Sequence, residues 1–371
     1  MSTKKDKFSS KDKSFMKLAI NLARVRVGLT GDNPSVGCVI VKNDKIISIG
    51  QTGFNGRPHA EFSAIKNSFQ SLKGSKIYVS LEPCNHYGKT PPCTKIIIQN
   101  GISEVYYSID DIDTRVKGKS FKFLSKKNII VKKGLLKKEA IDLYNSYIIN
   151  RKSKLPYVTA KIAISKNKII YSEGSKRITD QVSDKLSHYL RFKNDAIMIS
   201  NKTLNIDNPR LNCRLKKYEN FSPKRIILDK NLDIKLNTYI FNSAKKDNTI
   251  IFHNSLNKLK VKILKKKGID LIKLKLNDSK HFDLKKVLKR LYKLGIRYLL
   301  VEGGNKITKN LLKNRLINQF YLFKSPKNLP KNKNYLIFTS LGLLDRKYGN
   351  KFKISSKLAK DNITIYKRQN V

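Results

Sequence analysis

The sequence predicts an α/β protein with two domains, on three observations. Its 371 residues are the usual length of two domains. Apolar residues make up 40% of the chain, and segments of period two alternate with segments of helical period throughout. The alternation restarts after a basic stretch that ends at Pro156. We therefore expect one domain at residues 1–150 and a second at residues 151–371.

The first domain is expected to be a layered sheet. Its first element is a helix over residues 11–27, where Phe15, Leu18 and Leu22 repeat at helical spacing. The apolar pattern then predicts strands at residues 36–42, 45–50, 76–81, 104–109 and 128–132, and helices at residues 59–69, 92–100 and 136–149.

The second domain repeats the same alternation. The pattern predicts strands at residues 157–164, 195–200, 225–229, 248–253, 270–275, 296–301 and 319–324. It predicts helices at residues 179–192, 284–294 and 307–314. The residues from Pro326 onward carry no clear pattern of either period.

The net charge of the chain is +52, from 79 Lys and Arg against 27 Asp and Glu. Such a charge suggests a polyanion such as nucleic acid as the partner. However, lysine occurs in nearly every segment, and the longest pure run is only residues 265–267. Nucleic-acid readers usually cluster their basic residues and favour arginine. We interpret the charge as a lysine bias of the whole chain and expect no specific nucleic-acid partner.

Three further observations concern the cellular setting. The sequence has no run of about 18 apolar residues of the kind that spans a bilayer. Lys17, Asn21 and Arg24 interrupt any signal-type apolar core near the start. Four cysteines are too few for a disulfide framework in a chain of this length. We expect a cytoplasmic protein with no membrane contact.

The chemistry concentrates in two short segments. His59 and Glu61 form a His-x-Glu motif, and Cys84 and Cys93 each follow a proline. An imidazole and two thiolates are ligands that zinc prefers, and three of them leave a fourth position open for water. Glu61 is then free to carry a proton as a general acid and base, which completes the zinc deaminase signature. The alternative, a helix-entry histidine with two buried thiols, explains this combination less well.

The spacing of the cysteines departs from the general signature, because residues 85–92 separate them instead of two residues. The segment Leu-Glu-Pro-Cys-Asn-His-Tyr-Gly-Lys-Thr-Pro-Pro-Cys at residues 81–93 closely resembles the bifunctional deaminase–reductase family of bacterial riboflavin biosynthesis. Asn-Pro-Ser-Val-Gly-Cys-Val-Ile-Val at residues 33–41 extends the resemblance. The family usually has Asn where this chain has Ser35.

The resemblance implies a cytidine-deaminase-like α/β/α first domain that replaces the 2-amino group of 2,5-diamino-6-ribosylamino-4(3H)-pyrimidinone 5′-phosphate by oxygen. It implies Zn²⁺ as the cofactor and Glu61 as the proton carrier. The zinc ligands would be His59, Cys84 and Cys93, and the substrate contacts would include Asn33 and His86.

In the second domain a predicted strand runs into Gly303-Gly304 and then a helix. Glycines at such a turn let backbone N–H groups approach a phosphate, although a tight turn without a ligand is the alternative. Arg191 and Arg214 suit a substrate phosphate, because a guanidinium binds phosphate through two parallel hydrogen bonds. The alternative for both is a solvated surface arginine.

The resemblance extends to the second domain and implies a dihydrofolate-reductase-like α/β fold that uses NADPH. Matched by position, the cofactor-binding residues are Ala163, Arg177, Thr203, Asp207, Gly304, Asn305 and Lys306. The substrate-binding residues are Ser175, Arg191, Leu211, Arg214 and Glu302. Two departures stand out: residues 165–168 read Ser-Lys-Asn-Lys where the family has Ser-Leu-Asp-Gly, and Arg177 replaces a tryptophan.

We therefore predict a bifunctional enzyme, a hydrolase and an NADP-dependent oxidoreductase, that acts on small pyrimidine ribosyl phosphates. NADPH would reduce 5-amino-6-(5-phosphoribosylamino)uracil to the ribitylamino product. Three alternatives are weaker: a deaminase with a silenced reductase domain, a nucleic-acid deaminase, and an RNA-binding or scaffolding protein on a decayed enzyme fold. The oligomeric state stays open, and a homo-oligomer is one of the options.

Overall fold

A computed structural model describes residues 8–175, 177–354 and 360–368. The chain divides into two compact units, Met1–Lys154 and Leu155–Val371. Each unit contains a sheet that is flanked by helices, and the predicted α/β class is confirmed. Among the described residues, no helix combines the length and the apolar character that crossing a membrane requires.

The first unit is built on a five-stranded sheet in the order β2-β1-β3-β4-β5. β1 is antiparallel to both of its neighbours, whereas β3, β4 and β5 are parallel. The strands are β1 Gly37–Lys42, β2 Lys45–Gln51, β3 Lys76–Val79, β4 Glu104–Tyr107 and β5 Ile130–Lys133. The helices are α1 Ser10–Arg26, α2 Ala60–Lys66, α3 Cys93–Gln99, α4 Lys119–Ser125 and α5 Lys137–Ser153.

Local sequence explains where α1 begins and which face it buries. Ser9 caps the helix by accepting a hydrogen bond from the backbone N–H of Asp12, and the Asp12 carboxylate accepts one from the backbone N–H of Ser9. Met16 and Ala19 belong to the buried face, which packs on β1. Helix α5 continues through Ser153, four residues beyond the prediction, and Lys154 ends it with a left-handed backbone.

Two glycines set how closely helices approach the β1–β2 hairpin. A Cβ atom at Gly37 would lie 1.9 Å from the carbonyl oxygen of Ala19 in α1, and one at Gly50 would lie 2.2 Å from that of Ala60 in α2. Gly50 pairs with Cys38, so Gly37 and Gly50 face opposite sides of the sheet. Helices α1 and α2 therefore cover opposite faces, which gives the predicted α/β/α layers.

The second unit contains a nine-stranded sheet in the order β11-β10-β9-β8-β12-β6-β13-β16-β15. The seven strands from β11 to β13 are parallel, and β16 and β15 follow antiparallel. Its parallel strands are β6 Tyr157–Ile164, β8 Ala196–Ser200, β9 Lys224–Leu228, β10 Thr249–His253, β11 Asp270–Lys273, β12 Tyr298–Val301 and β13 Gln319–Lys324. A small antiparallel pair joins β7 Ile169–Ser172 to β14 Tyr335–Ile337.

The helices of the second unit connect these strands. They are α6 Gln181–Phe192, α7 Asn201–Asp207, α8 Tyr239–Asn242, α9 Lys258–Lys266, α10 Leu284–Lys293, α11 Asn305–Lys313 and α12 Leu341–Lys347. Helix α10 shows how the sequence specifies them, because the Asp283 side chain caps its start and Val287, Leu288 and Leu291 are buried.

The residues after Pro326, for which the sequence pattern predicts no element, include four elements in the part that the structure describes. They contain β14, α12, β15 (Asn350–Ile354) and β16 (Asn362–Lys367). Strand β16 pairs with β13, and Tyr366 enters the core. All five residues of β15 are exposed at the edge of the sheet, where Lys351 and Lys353 alternate with apolar residues. Short strands with few buried side chains are hard to predict, because they contain too few apolar residues to show an alternating pattern.

Replacing Gly50 by alanine should destabilise the first unit. The new methyl group would overlap the backbone of α2, which cannot rotate away as a side chain could. We expect a loss of about 2 kcal/mol or more in the free energy of unfolding, measured by urea unfolding. Gly342→Ala in α12 is the control, because nothing lies within 4 Å of its Cβ position. Equal midpoints for the two variants would refute the close approach.

Candidate active sites

The first site brings together three side chains from three parts of the first unit. His59 is the cap residue of α2, Cys84 follows the end of β3, and Cys93 is the first residue of α3. The His59 Nδ1 atom lies 3.4 Å from the Cys93 sulfur and 3.6 Å from the Cys84 sulfur. All three donor atoms lie within 4.8 Å of one another.

This donor set fits a zinc ion. Zinc binds thiolate at about 2.3 Å and imidazole at about 2.0 Å, so tetrahedral donors lie about 3.5–4 Å apart. A hydrogen bond from Cys93, supported by His59, lowers the pKa of Cys84 to about 4 against the effect of burial, which favours a thiolate. The hydrogen bond to Cys84 and burial raise the pKa of Cys93. The pair thus offers one thiolate already and a second thiol in ligating position.

Glu61 lies in the first turn of α2, two residues after His59. Its side chain is only 4% exposed. Burial raises the pKa of the carboxyl group to about 7, with the Cys84 charge acting in the same direction. His59, Glu61 and Cys84 all line one cavity of about 530 Å³, so Glu61 and two of the three donor residues face the same space.

The two predicted substrate contacts also line this cavity. Asn33 donates a hydrogen bond from its side-chain nitrogen to the carbonyl of Gly56 at 2.9 Å. The Nδ1 atom of His86 is buried and has no hydrogen-bond partner among the described residues. Ser35 does not line the cavity, because its hydroxyl donates to the carbonyl of Ala23 in α1 at 2.6 Å.

Several lining residues were not predicted from the sequence, because charged residues are too common in this chain to stand out. They are Arg57, Lys89, Asp111, Arg115, Tyr147 and Arg151. The Tyr147 hydroxyl donates to Oδ1 of Asp111 at 3.1 Å, and Arg151 donates to the carbonyl of Asp32 at 2.6 Å. Four of the six carry positive charge, while the same lining also holds acidic residues, of which Asp113 pairs with Arg115 at 2.6 Å.

The buried carboxylate of Glu82 fixes the far wall of the cavity. It accepts hydrogen bonds from the backbone N–H groups of Asp111, Gly118 and Ser120 at 3.0–3.1 Å. The Ser120 hydroxyl donates in turn to the carbonyl of Pro83 at 2.6 Å. One side chain therefore ties the segment that precedes Cys84 to the loop that carries Asp111.

The second unit holds a buried ion pair at the end of β12. Arg191 in α6 donates from Nε and Nη2 to the two oxygens of Glu302, each at 2.9 Å, and from Nη1 to the carbonyl of Asn212 at 3.2 Å. The two side chains are 12% and 15% exposed. Burial alone would raise the pKa of Glu302, but Arg191 and Lys161 outweigh it and set the pKa at about 2.

Lys161 was not predicted as a site residue. It lies in the central strand β6, and burial lowers the pKa of its ammonium group while the Glu302 charge opposes the change. Its Nζ atom lies 5.1 Å from the centre of the Phe323 ring. A single lysine inside an otherwise mostly apolar parallel strand was the signal that could have identified it.

The Gly303-Gly304 turn joins β12 to α11 as predicted, and its neighbour is Thr203. A Cβ atom at Gly304 would lie 3.9 Å from the hydroxyl of Thr203, which also lies 3.1 Å from the hydroxyl of Ser200. Asn305 donates from its side chain to the carbonyl of Ile337. The structure therefore brings Thr203 and Gly304 together, whereas the Asn305 side chain is hydrogen-bonded to the last residue of β14.

A cleft of about 670 Å³ lies where β8 and β9 end beside α11. Its floor is apolar and includes Leu228, Phe282 and Ile307. Its remaining wall is mostly basic and includes Lys230, His281, Lys306, Lys309 and Lys313, with Asp233 as the acidic group. An apolar floor with a basic rim suits an aromatic base that carries phosphate groups.

The other predicted residues are more dispersed. Ala163 is half-buried in β6, Asp207 ends α7 with its side chain exposed, and Leu211 is buried. Ser175 follows β7, and its backbone N–H donates to the carbonyl of Ser172.

Arg177 forms an ion pair with Asp184 in α6 at 3.3 Å. Arg214 donates from its backbone N–H to Nδ1 of His188 at 3.2 Å. The unusual residues 165–168 form the turn between β6 and β7, in which Lys168 has a left-handed backbone.

Comparison with known protein families shows which family this chain belongs to. A family model for the cytidine and deoxycytidylate deaminase zinc-binding region matches residues 9–109. A second, the RibD C-terminal domain, matches residues 156–363. The riboflavin biosynthesis protein RibD of Aquifex aeolicus is 36% identical over 318 residues, which cover 85% of this chain and 87% of that protein.

The chain belongs to the RibD family. It is a bifunctional enzyme of riboflavin biosynthesis with deaminase and reductase activities. The RibD protein of Buchnera aphidicola is 34% identical over 337 residues, with 86% of this chain and 88% of that protein covered.

Solved structures agree with this assignment. Acinetobacter baumannii RibD is 25% identical with a TM-score of 0.82, and 97% of this chain and 99% of that one are covered. A diaminohydroxyphosphoribosylaminopyrimidine deaminase/5-amino-6-(5-phosphoribosylamino)uracil reductase from Thermotoga maritima is 29% identical with a TM-score of 0.80 and the same coverage. RibD membership confirms the predicted cytidine-deaminase-like and dihydrofolate-reductase-like domains and does not favour the three alternatives.

The donor cluster predicts about one zinc ion per chain, measured by atomic emission on the purified protein. Cys84→Ser or Cys93→Ser should lose most of the metal, because a serine hydroxyl does not ionise at neutral pH and replaces a thiolate ligand poorly. Cys213→Ser is the matched control and should keep its zinc, since Cys213 is a buried cysteine of the second unit. Full zinc content in the Cys84 and Cys93 variants would exclude this cluster as the metal site.

Proposed function

We propose that the first unit deaminates 2,5-diamino-6-ribosylamino-4(3H)-pyrimidinone 5′-phosphate at the cluster of His59, Cys84 and Cys93. The observation that carries the proposal is that the three donor atoms lie within 4.8 Å of one another, and that two of these residues, His59 and Cys84, line one cavity with Glu61. Zinc, when bound there, makes a water molecule nucleophilic at neutral pH. Of the two predicted domains, residues 1–150 would carry out deamination and residues 151–371 the reduction that follows it. The matched family models support this division.

The side chains around the cluster have separate tasks. Glu61 takes the proton of the attacking water and passes it to the departing amino group, which leaves as ammonia. His86 and Asn33 orient the pyrimidine, and the unpartnered Nδ1 of His86 is available for a ring substituent. On the same wall, the basic side chains of Arg57, Lys89 and Arg151 suit the 5′-phosphate, since Arg115 already pairs with Asp113 at 2.6 Å.

The second unit is proposed to reduce the ribosyl group of the deaminated product. NADPH, when bound, supplies the hydride, and the protein orients the two reactants. Thr203, Gly304 and Lys306, together with the basic cleft beside α11, would hold the phosphates and adenine of the cofactor. Lys161 and Glu302 would face the sugar, where they offer an ammonium group and a carboxylate to the ribosyl hydroxyls, and Arg191 holds the Glu302 carboxylate in place.

Glu61→Gln should abolish deamination and leave the zinc content unchanged. The amide keeps the shape of the side chain but cannot carry the proton, so we expect a loss of at least about 10²-fold in kcat. The assay follows deamination of the diaminopyrimidinone phosphate without NADPH, with metal content measured on the same sample. A variant that lacks zinc, or one with near-normal turnover, is incompatible with the proton-carrier role.

Removing positive charge from the basic cleft should weaken the binding of NADPH more than the binding of NADH. The 2′-phosphate of NADPH adds negative charge that Lys309 and Lys313 can neutralise. For the double variant Lys309→Gln/Lys313→Gln we expect about a tenfold weaker NADPH complex, equivalent to about 1.4 kcal/mol, with NADH binding little changed. Calorimetric titration gives both constants, and Lys289→Gln, an exposed lysine of α10 outside the cleft, is the control. An equal change for both cofactors would place the 2′-phosphate elsewhere.

A further inference from the structure

One face of helix α6 organises the charged groups of the second unit. Asp184, His188 and Arg191 follow one another at spacings of four and three residues, so they lie on the same face of the helix. The segment from Asn212 to Arg214 contacts this face at two points. The carbonyl of Asn212 accepts from Arg191, and the backbone N–H of Arg214 donates to His188.

Arg191 has little capacity left for a ligand. Its Nε, Nη1 and Nη2 atoms all donate within the protein, two of them to the buried Glu302 carboxylate. The charge of Glu302 also neutralises that of the guanidinium at a distance of 2.9 Å. A substrate phosphate in this unit therefore requires other cations than Arg191.

Arg177 and Arg214 have the capacity that Arg191 lacks. The Arg177 side chain is 66% exposed, and it reaches the same face of α6 through its ion pair with Asp184 at 3.3 Å. The Arg214 guanidinium is exposed and donates to the side chain of Asn212. Burial lowers the pKa of Arg214 most, and the charges of Arg191, Arg210 and Arg177 act in the same direction against that of Asp184, so these charged groups lie near one another. A phosphate would relieve this repulsion.

We propose that Arg177 is a specificity residue of the reductase site, which together with Arg214 binds the 5′-phosphate of the ribosylaminopyrimidine substrate. This inference rests on the proposed reductase function of the second unit. It assigns Arg177 to the substrate, whereas the position alone predicts a cofactor contact. The proposed cofactor phosphates lie at Thr203, Gly304 and the cleft of α11, and no described contact joins Arg177 to α7 or α11.

The test compares binding of the reduced product, 5-amino-6-ribitylaminouracil 5′-phosphate, with binding of the same compound without its phosphate. Titration calorimetry on the full chain gives both dissociation constants and that of NADPH. Arg177→Trp introduces the residue that the family usually has, and Arg177→Gln removes the charge with less change in size. Arg290→Gln in α10 is an exposed arginine remote from this face of α6 and serves as the control.

We expect both Arg177 variants to bind the phosphorylated compound about tenfold more weakly, because a hydrogen bond between charged groups is lost. Binding of the dephosphorylated compound and of NADPH should change less than twofold, and the control should match the unmodified protein. Weaker NADPH binding with unchanged discrimination of the phosphate would overturn the proposal in favour of a cofactor contact. Unchanged binding of both the phosphorylated compound and NADPH would overturn the proposal and indicate that Arg177 is a surface arginine without a ligand.

The unmodified protein separates this inference from the proposed function. If it binds neither form of the product and no NADPH, the proposed reductase function fails, and the role of Arg177 fails with it. If it binds the phosphorylated form more tightly and the Arg177 variants keep that preference in full, only the role of Arg177 is refuted.

Discussion

The deaminase site depends on one buried carboxylate that is not itself a candidate for catalysis. Glu82 stands two residues before Cys84 and accepts hydrogen bonds from three backbone N–H groups, two in the loop between β4 and α4 and one in the first turn of α4. A carboxylate out of contact with water is costly unless such donors surround it. The same bonds close the cavity wall that carries Asp111, so the position of one zinc ligand and the shape of the cavity are set together.

The second unit meets the same constraint with an ion pair instead of backbone donors. Glu302 is buried at the end of β12, and Arg191 reaches it from α6 with two parallel hydrogen bonds. Breaking such a pair leaves an uncompensated charge, which is why we regard Arg191 as part of the framework that holds Glu302 ionised. In both units a carboxylate that follows a strand is held by groups from a separate segment, and in the first unit the cavity forms next to it.

The sequence predicted the metal cluster better than it predicted the surrounding walls. His59, Cys84 and Cys93 could be grouped because metal ligands leave a spacing that few other functions require. The starts of α2 and α3 position His59 and Cys93. Lys161 was not predicted, because the chain has 79 basic residues and a single lysine becomes significant only when its strand is known to lie inside the sheet. Helix α7 and the strands after Pro326 were missed because they are short and touch the core with few side chains. The partner of Arg177 depends on how a loop folds back on α6, which no local pattern specifies.

Strand β15 gives part of the lysine excess a role in solubility. An outermost strand presents unpaired backbone groups that can recruit a strand from another molecule, and a large sheet of mostly parallel strands exposes such edges for longer while it forms. Lys351 and Lys353 interrupt the apolar residues Phe352 and Ile354 in this strand, and at the opposite edge β11 ends with Lys273. Bringing two such edges together would crowd the ammonium groups of Lys353 and Lys273 with that of Lys351, which pairs with Asp345 at 2.6 Å. The same composition that gives the chain its high charge thus acts as a barrier to fibrous aggregation.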